Sequence, residues 1–219
     1  GIISENSYRY MELVHAGYWS GAIPVPINHR LAPPEIRHIL DDAEIECLFL
    51  GEDYLGLGDA DDVSPWRERL IYVGAQLAEC AFPQYETLLG EARGAEAAQM
   101  ADEDLALLLY TGGTTGKSKG VRLSHKNLCA NGMQVHMAMG IRTDDVFLHA
   151  APMFHAADLL GSAFTLCGAA HGFLPVFSGK EALAALQELE ITVSFLAPTM
   201  IIMVLQEADF DTYDLSKFR

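Results

Sequence analysis

Apolar positions recur at helical spacing near the start of the chain: Tyr10, Leu13, Val14, Gly17 and Tyr18 share one face of a helix predicted over 7–20, and Gly21 ends it. The extended run Ile23 to Ile27 follows as a strand. Pro33 and Pro34 suit the first turn of a second helix, to Asp41, because a first-turn residue has no intrahelical N–H bond to lose. Ile45 to Leu50 is an apolar run of strand length, Leu70 to Val73 a shorter one, and Tyr85 to Glu96 a helix leading into a polar, alanine-rich connection.

Leu105 to Tyr110 is the strongest strand signal, an unbroken apolar run of the kind buried on both faces. Val121 to Leu123 is also strand-like. Ser124 can cap a helix in which Leu128, Gly132, Val135 and Met139 line one face. Strands at 146–149, 170–173 and 192–196 alternate with helices near 157–166, 180–189 and 199–206. That alternation predicts an α/β fold with layered, largely parallel β-sheets and flanking helices.

Half of the 219 residues are apolar, enough for a sizeable core in one large or two small domains. The 30 acidic and 14 basic side chains leave a formal charge of −16, which opposes attachment to nucleic acid or to an anionic membrane surface. Cys47, Cys80, Cys129 and Cys167 are too far apart for a zinc-type pairing and read as reduced thiols. No apolar stretch reaches the ~18 residues of a membrane span, and no signal peptide opens the chain, so the expected location is cytoplasmic. The first residue is Gly rather than Met, and the chain reads as a piece of a longer protein. The acidic stretch from Asp41 to Asp62 lacks calcium-loop spacing and reads as solvated surface, so no metal ligands are assigned.

Directly after the apolar run stands Thr111-Gly112-Gly113-Thr114-Thr115-Gly116-Lys117-Ser118-Lys119-Gly120. Its four glycines let a backbone approach a ligand closely, its three threonines offer hydroxyls, and its two lysines offer charge. Consecutive N–H groups in such a bend can form an anion-binding concavity, and Lys119 would neutralise an oxygen held there. The combination suits a polyphosphate. A Walker A loop needs glycine five positions before Gly116, where Thr111 stands, and a helix where Val121-Arg122-Leu123 is strand-like, so that motif fails.

The stretch Tyr110 to Gly120, continued by Val121-Arg122-Leu123-Ser124-His125-Lys126-Asn127-Leu128, resembles the signature loop of the adenylate-forming superfamily, the acyl-CoA synthetases and other AMP-dependent synthetases and ligases. The usual form is Y-T-S-G-T-T-G-x-P-K-G, so Gly112 and Ser118 stand in place of serine and proline. The latter exchange removes a fixed φ and loosens the loop. Gly21 to Asn28 resembles the superfamily's early α/β segment. Ala151-Pro152-Met153-Phe154-His155 resembles the motif that places an aromatic residue or histidine beside the acyl site.

The resemblance implies ATP-dependent activation of a small-molecule carboxylic acid, fatty or aryl, to acyl-AMP and then acyl-CoA, with ATP, Mg²⁺ and CoA as the small molecules involved. It gives Thr111, Gly112, Gly113, Thr114, Thr115, Gly116, Lys117 and Lys119 the task of holding phosphates, and makes Lys119 and His155 the catalytic candidates. Phe154, Ala156, Ala157 and Leu159 suit either an acyl tunnel or core packing. His149, Asp158, Thr199 and Met200 receive no role. The whole chain then reads as part of an N-terminal ATP- and acyl-binding domain, with a first α/β segment at 1–100 and the phosphate-loop segment at 101–219. The adenine- and ribose-binding motifs and the C-terminal domain that the superfamily places later are absent from it, so the chain alone is expected to be inactive. A non-catalytic phosphate-binding module and an adenylation domain loading a carrier protein are the alternatives.

Overall fold

The computed structural model describes residues 1–112 and 117–219. It divides into two compact units, Gly1–Glu5 with Arg9–His125, and Asn6–Tyr8 with Lys126–Arg219.

The first unit holds a parallel sheet of β1 (Ile2–Ile3), β2 (Leu48–Gly51) and β3 (Leu70–Val73), in that order. Ile2 pairs with Phe49, and Leu48 with Leu70. The run at 23–27 is extended but makes only one bridge, Pro26 beside Ile2. Pro24 and Pro26 have no N–H to give, so the contact is limited to bonds such as Ile2 N to Val25 O at 3.0 Å and Ile27 N to Ile2 O at 2.9 Å. Helices α1 (Tyr8–Ser20), α2 (Pro33–Asp42) and α3 (Tyr85–Glu91) accompany the sheet. The helix expected to reach Glu96 stops at Glu91 because Ala92 turns extended.

In α2, Ile36, Ile39 and Leu40 are fully buried at i, i+3 and i+4 against Leu48, Leu50 and Leu70. Each such side chain contributes roughly 1.5–3 kcal/mol of burial. At the other end of the helix the Glu35 carboxylate accepts from the Ala32 N–H at 2.9 Å, which satisfies one donor at the helix start.

The unbroken run Leu105 to Tyr110 corrects one expectation. It forms β4 (Leu105–Thr111), which pairs antiparallel with β5 (Lys119–Ser124) in a two-stranded ribbon. Ala106, Leu107 and Leu109 are buried, whereas Leu105, Leu108 and Tyr110 are only partly so. An apolar run reads the same in a doubly covered parallel strand and in a hairpin arm; the glycine-rich bend decides the matter by returning the chain onto itself.

The second unit is built on a parallel sheet ordered β7 (Ala170–Phe173), β6 (Val146–His149), β8 (Val193–Ser194). Around it lie α4 (His125–Met139), α5 (Gly161–Cys167), α6 (Gly179–Glu188) and α7 (Pro198–Leu205). Phe147 and Leu148 alternate across β6 and serve two cores, one with Phe164 and Val193, the other with Leu183, Leu186 and Ile191. On α4 only Gly132 is buried, because Leu166 of α5 comes so close that a Cβ would stand 2.5 Å from its Cδ1. The helix expected at 157–166 is split into a 3-10 turn, Ala156–Leu160, and α5. Asp145, fully buried at the start of β6, accepts from Arg219 Nη2 at 2.6 Å, Thr192 Oγ1 at 2.8 Å and the Arg142 N–H at 2.8 Å. Burial pushes its carboxyl up, and these hydrogen bonds outweigh that and hold it at about 2. No helix among the described residues is long and apolar enough to cross a membrane.

Candidate active site

The β4–β5 register fixes the two described ends of the glycine-rich stretch. Tyr110 stands opposite Gly120 and Thr111 opposite Lys119, so a hydroxyl and an ammonium flank the two ends of one loop. Paired residues of this kind have Cβ atoms roughly 5 Å apart. Thr111, Gly112, Lys117 and Lys119 are all exposed. Gly113, Thr114, Thr115 and Gly116, which the sequence also nominates, lie outside the described residues. Gly120 has a packing reason to be glycine, since a Cβ there would come within 2.9 Å of Leu108 Cδ1 and 3.2 Å of Tyr110 Cζ. At Gly112 a Cβ would meet nothing within 4 Å.

Two side-chain bonds tie the base of this bend to α2. The Tyr110 hydroxyl donates to Asp42 Oδ2 at 2.6 Å, and His38 Nε2 donates to the Ser118 carbonyl at 3.3 Å. Burial, then the bond to the Asp42 carboxylate and its charge, push the Tyr110 hydroxyl well above the ordinary tyrosine range, so it stays a donor. The position where the resembling motif has proline is therefore held by a histidine on a neighbouring helix. Lys117, Lys119 and Arg122 make the exposed face of the ribbon cationic in a chain of formal charge −16.

In the second unit β6 delivers the chain into the turn that carries His155. Asn6, 5 % exposed, clamps its first half: its Nδ2 donates to the carbonyls of His149 and Ala151, each at 2.9 Å, and its Oδ1 accepts from the Met153 N–H at 2.8 Å. His155 caps the 3-10 turn, its Nδ1 accepting from the Ala157 N–H at 3.2 Å. A ring nitrogen that accepts carries no proton, so Nε2 of the neutral ring holds it, and the ring itself is exposed. Lys119 lies in the first unit and His155 in the second.

His149 and Asp158, which the sequence leaves without a role, bracket this turn and hydrogen-bond to each other. His149 is also bonded through Nε2 to His171 Nδ1 at 2.9 Å. Their spacing on either side of His155 was a usable signal, whereas nothing in the sequence connects Asn6 to a turn some 145 residues away. Phe154 is half-buried and Ala156 exposed. Among the described residues no group of three or more His, Cys, Asp or Glu side chains could hold a metal ion.

The family described as AMP-binding enzyme matches residues 1–219. Among curated proteins the chain is 28% identical over 216 residues to 2-succinylbenzoate–CoA ligase of Bacillus cereus, a match that covers 98% of this chain and 41% of that protein. It is 30% identical over 220 residues to feruloyl-CoA synthase of an Amycolatopsis species, covering 99% and 42%. Among solved structures it is similar to the anthranilate CoA ligase AuaEII in complex with anthranoyl-AMP, with a TM-score of 0.89 and 25% identity over all of this chain and 43% of the other. The chain thus spans about two fifths of the length of the curated relatives it matches.

Proposed function

Since this chain belongs to the AMP-binding enzyme family, we propose that the protein carrying it activates a carboxylic acid as acyl-AMP and then transfers the acyl group to the thiol of CoA. The observation that carries the reading is the register that sets Thr111 opposite Lys119 across a glycine-rich bend. The names of the relatives support CoA as the acceptor and an aryl acid ahead of a fatty acid.

In the first half-reaction a carboxylate oxygen attacks the α-phosphorus of ATP, the bond from that phosphorus to the bridging oxygen breaks, and pyrophosphate leaves with the electron pair. A carboxylic acid is already ionised at neutral pH, so no general base is required. What is required is alignment and charge neutralisation where negative charge gathers. Lys119 supplies the charge, with Lys117 beside it; Thr111, Gly112 and the stretch Gly113, Thr114, Thr115 and Gly116 supply hydroxyls and amides for the β- and γ-phosphates. His155, with Nδ1 engaged, offers Nε2–H to the acid's carboxylate. In the second half the CoA sulfur attacks the acyl carbon, the carbon–oxygen bond to AMP breaks, and the thiol proton passes to solvent. Among the described residues no group of three or more His, Cys, Asp or Glu side chains is gathered to hold a metal ion without help from the phosphates.

Pyrophosphate exchange across a panel of aryl and fatty acids tests this reading in the protein that carries the chain. Lys119→Ala is expected to lower acid-dependent exchange on the order of a hundredfold while acid binding changes little. Equal loss of both contradicts the role of Lys119. ATP binding with no exchange for any acid contradicts the activity and leaves a phosphate-binding module.

A further inference from the structure

His149 is nearly fully buried, at 4 % exposure, in a slot built for a flat ring. Phe173 stacks on it at 4.8 Å between centroids with 7° between planes, and Phe147 meets it edge-on at 5.0 Å. Gly161 opens the slot: a Cβ there would stand 2.7 Å from His149 Cε1. Packing alone would be served by phenylalanine in this place. The polar partners set histidine apart from it.

Four side chains form one continuous hydrogen-bonded chain: Asp158 to His149 Nδ1, His149 Nε2 to His171 Nδ1 at 2.9 Å, and His171 Nε2 to Thr165 Oγ1 at 3.2 Å. With both imidazoles neutral, the donor inventory admits a single arrangement. An ionised carboxylate only accepts, so His149 carries its proton on Nδ1 and accepts at Nε2. His171 must then donate from Nδ1 and accept at Nε2 from the Thr165 hydroxyl, which lies 3.2 Å away and closer than the Gly161 carbonyl at 3.5 Å that competes for the same proton. Every link points the same way, toward Asp158.

We propose that this Asp158–His149–His171–Thr165 chain is a clasp that positions His155, with His149 and Asp158 as positioning residues for the activation reaction. Within the clasp, His149 is the last residue of β6 and Asp158 the central residue of the 3-10 turn, so the bond between them spans the His155-bearing segment. Inside that span the backbone closes through His155 N to Pro152 O at 3.0 Å and Asp158 N to His155 O at 2.9 Å. Fixing Asp158 therefore fixes the carbonyl and Nδ1 of His155, and with them the direction in which Nε2–H is offered. The role in catalysis rests on the function proposed above; the tautomers and the ordering of His155 do not.

His149→Phe keeps the stacked ring and removes both hydrogen bonds; Asp158→Asn keeps an acceptor for His149 and removes only the charge. In protein labelled with ¹⁵N at histidine, the wild type is expected to show Nδ1–H at His149 and His171 and Nε2–H at His155. In His149→Phe, with its thermal midpoint lowered by only a few degrees, His155 is expected to lose its single tautomer. The kcat of acid-dependent pyrophosphate exchange should then fall on the order of tenfold with the KM for ATP unchanged, and Asp158→Asn should retain most of both signals. Nε2–H at His149 or His171, or an unaltered His155 spectrum and kcat in His149→Phe, overturns the clasp. If the wild type shows the expected tautomers but no acid supports exchange, the function proposed above fails and the positioning of His155 stands. Should His149→Phe not fold, Thr165→Val serves in its place: it removes the last donor, and a His171 Nε2 resonance unchanged from the wild type would overturn the chain.

Discussion

The bend between β4 and β5 and the turn after β6 solve opposite problems. Among its described residues the bend presents Thr111, Lys117 and Lys119 at exposed positions, and its base is tied by Tyr110 to Asp42 and His38 to Ser118. The turn exposes a single imidazole and anchors it through buried polar groups, Asn6 on one side and His149 with Asp158 on the other. A phosphate grip is made largely of backbone, so glycines and open space suit it. A directed side-chain donor needs a supporting layer that holds its ring in one orientation. The difference teaches where each part should be sensitive to change: the turn in stability, the bend in ligand binding.

Asn6→Leu is the largest break. It removes three hydrogen bonds and leaves the His149 and Ala151 carbonyls and the Met153 N–H without that partner, so unfolding stability is expected to fall by about 3 kcal/mol, read from the denaturant midpoint. Gly161→Ala comes next. The helical backbone tolerates alanine, but the new methyl meets the locked ring of His149, for an expected loss of about 2 kcal/mol in the same assay. Acid offers a smaller effect on the second unit. Because Asp145 is held at about 2 against an ordinary 3.8, its contribution is complete above about pH 4 and is lost as pH falls toward 2. The thermal midpoint of the wild type should therefore drop more across that window than that of Asp145→Asn; equal slopes would contradict the assignment. The smallest effect belongs to the bend: Gly112→Ser, with open space for the side chain, should change stability by less than about 0.5 kcal/mol.

The same contrast explains what could be read in advance. The α/β layering and most element centres follow from local periodicity, as with Ile36, Ile39 and Leu40 on α2 or Ser178, whose Oγ accepts from the Glu181 N–H at 3.1 Å to start α6. Strand pairing is a long-range property, so the apolar run at Leu105 gave no sign that its partner would be antiparallel. Boundaries failed where side chains outcompete local pattern: Thr192 turns its hydroxyl to Asp145, and only Val193–Ser194 remain of a longer expected strand. The chemistry proposed for the bend could be put forward from the sequence because a phosphate loop would write glycine, threonine and lysine contiguously. The support of the turn is drawn from Asn6, His149, Asp158, Thr165 and His171, residues that only the fold assembles. His38 belongs with them, because its bond to Ser118 replaces a constraint that the sequence suggested was lost.

Backbone amide shifts of Thr111 through Lys119, followed while ATP, pyrophosphate or AMP is titrated into the protein, test the phosphate grip most directly. ATP and pyrophosphate are expected to move these amides, with AMP at matched concentration leaving them in place. Equal movement by AMP, or none by ATP under conditions where it binds, would contradict the account.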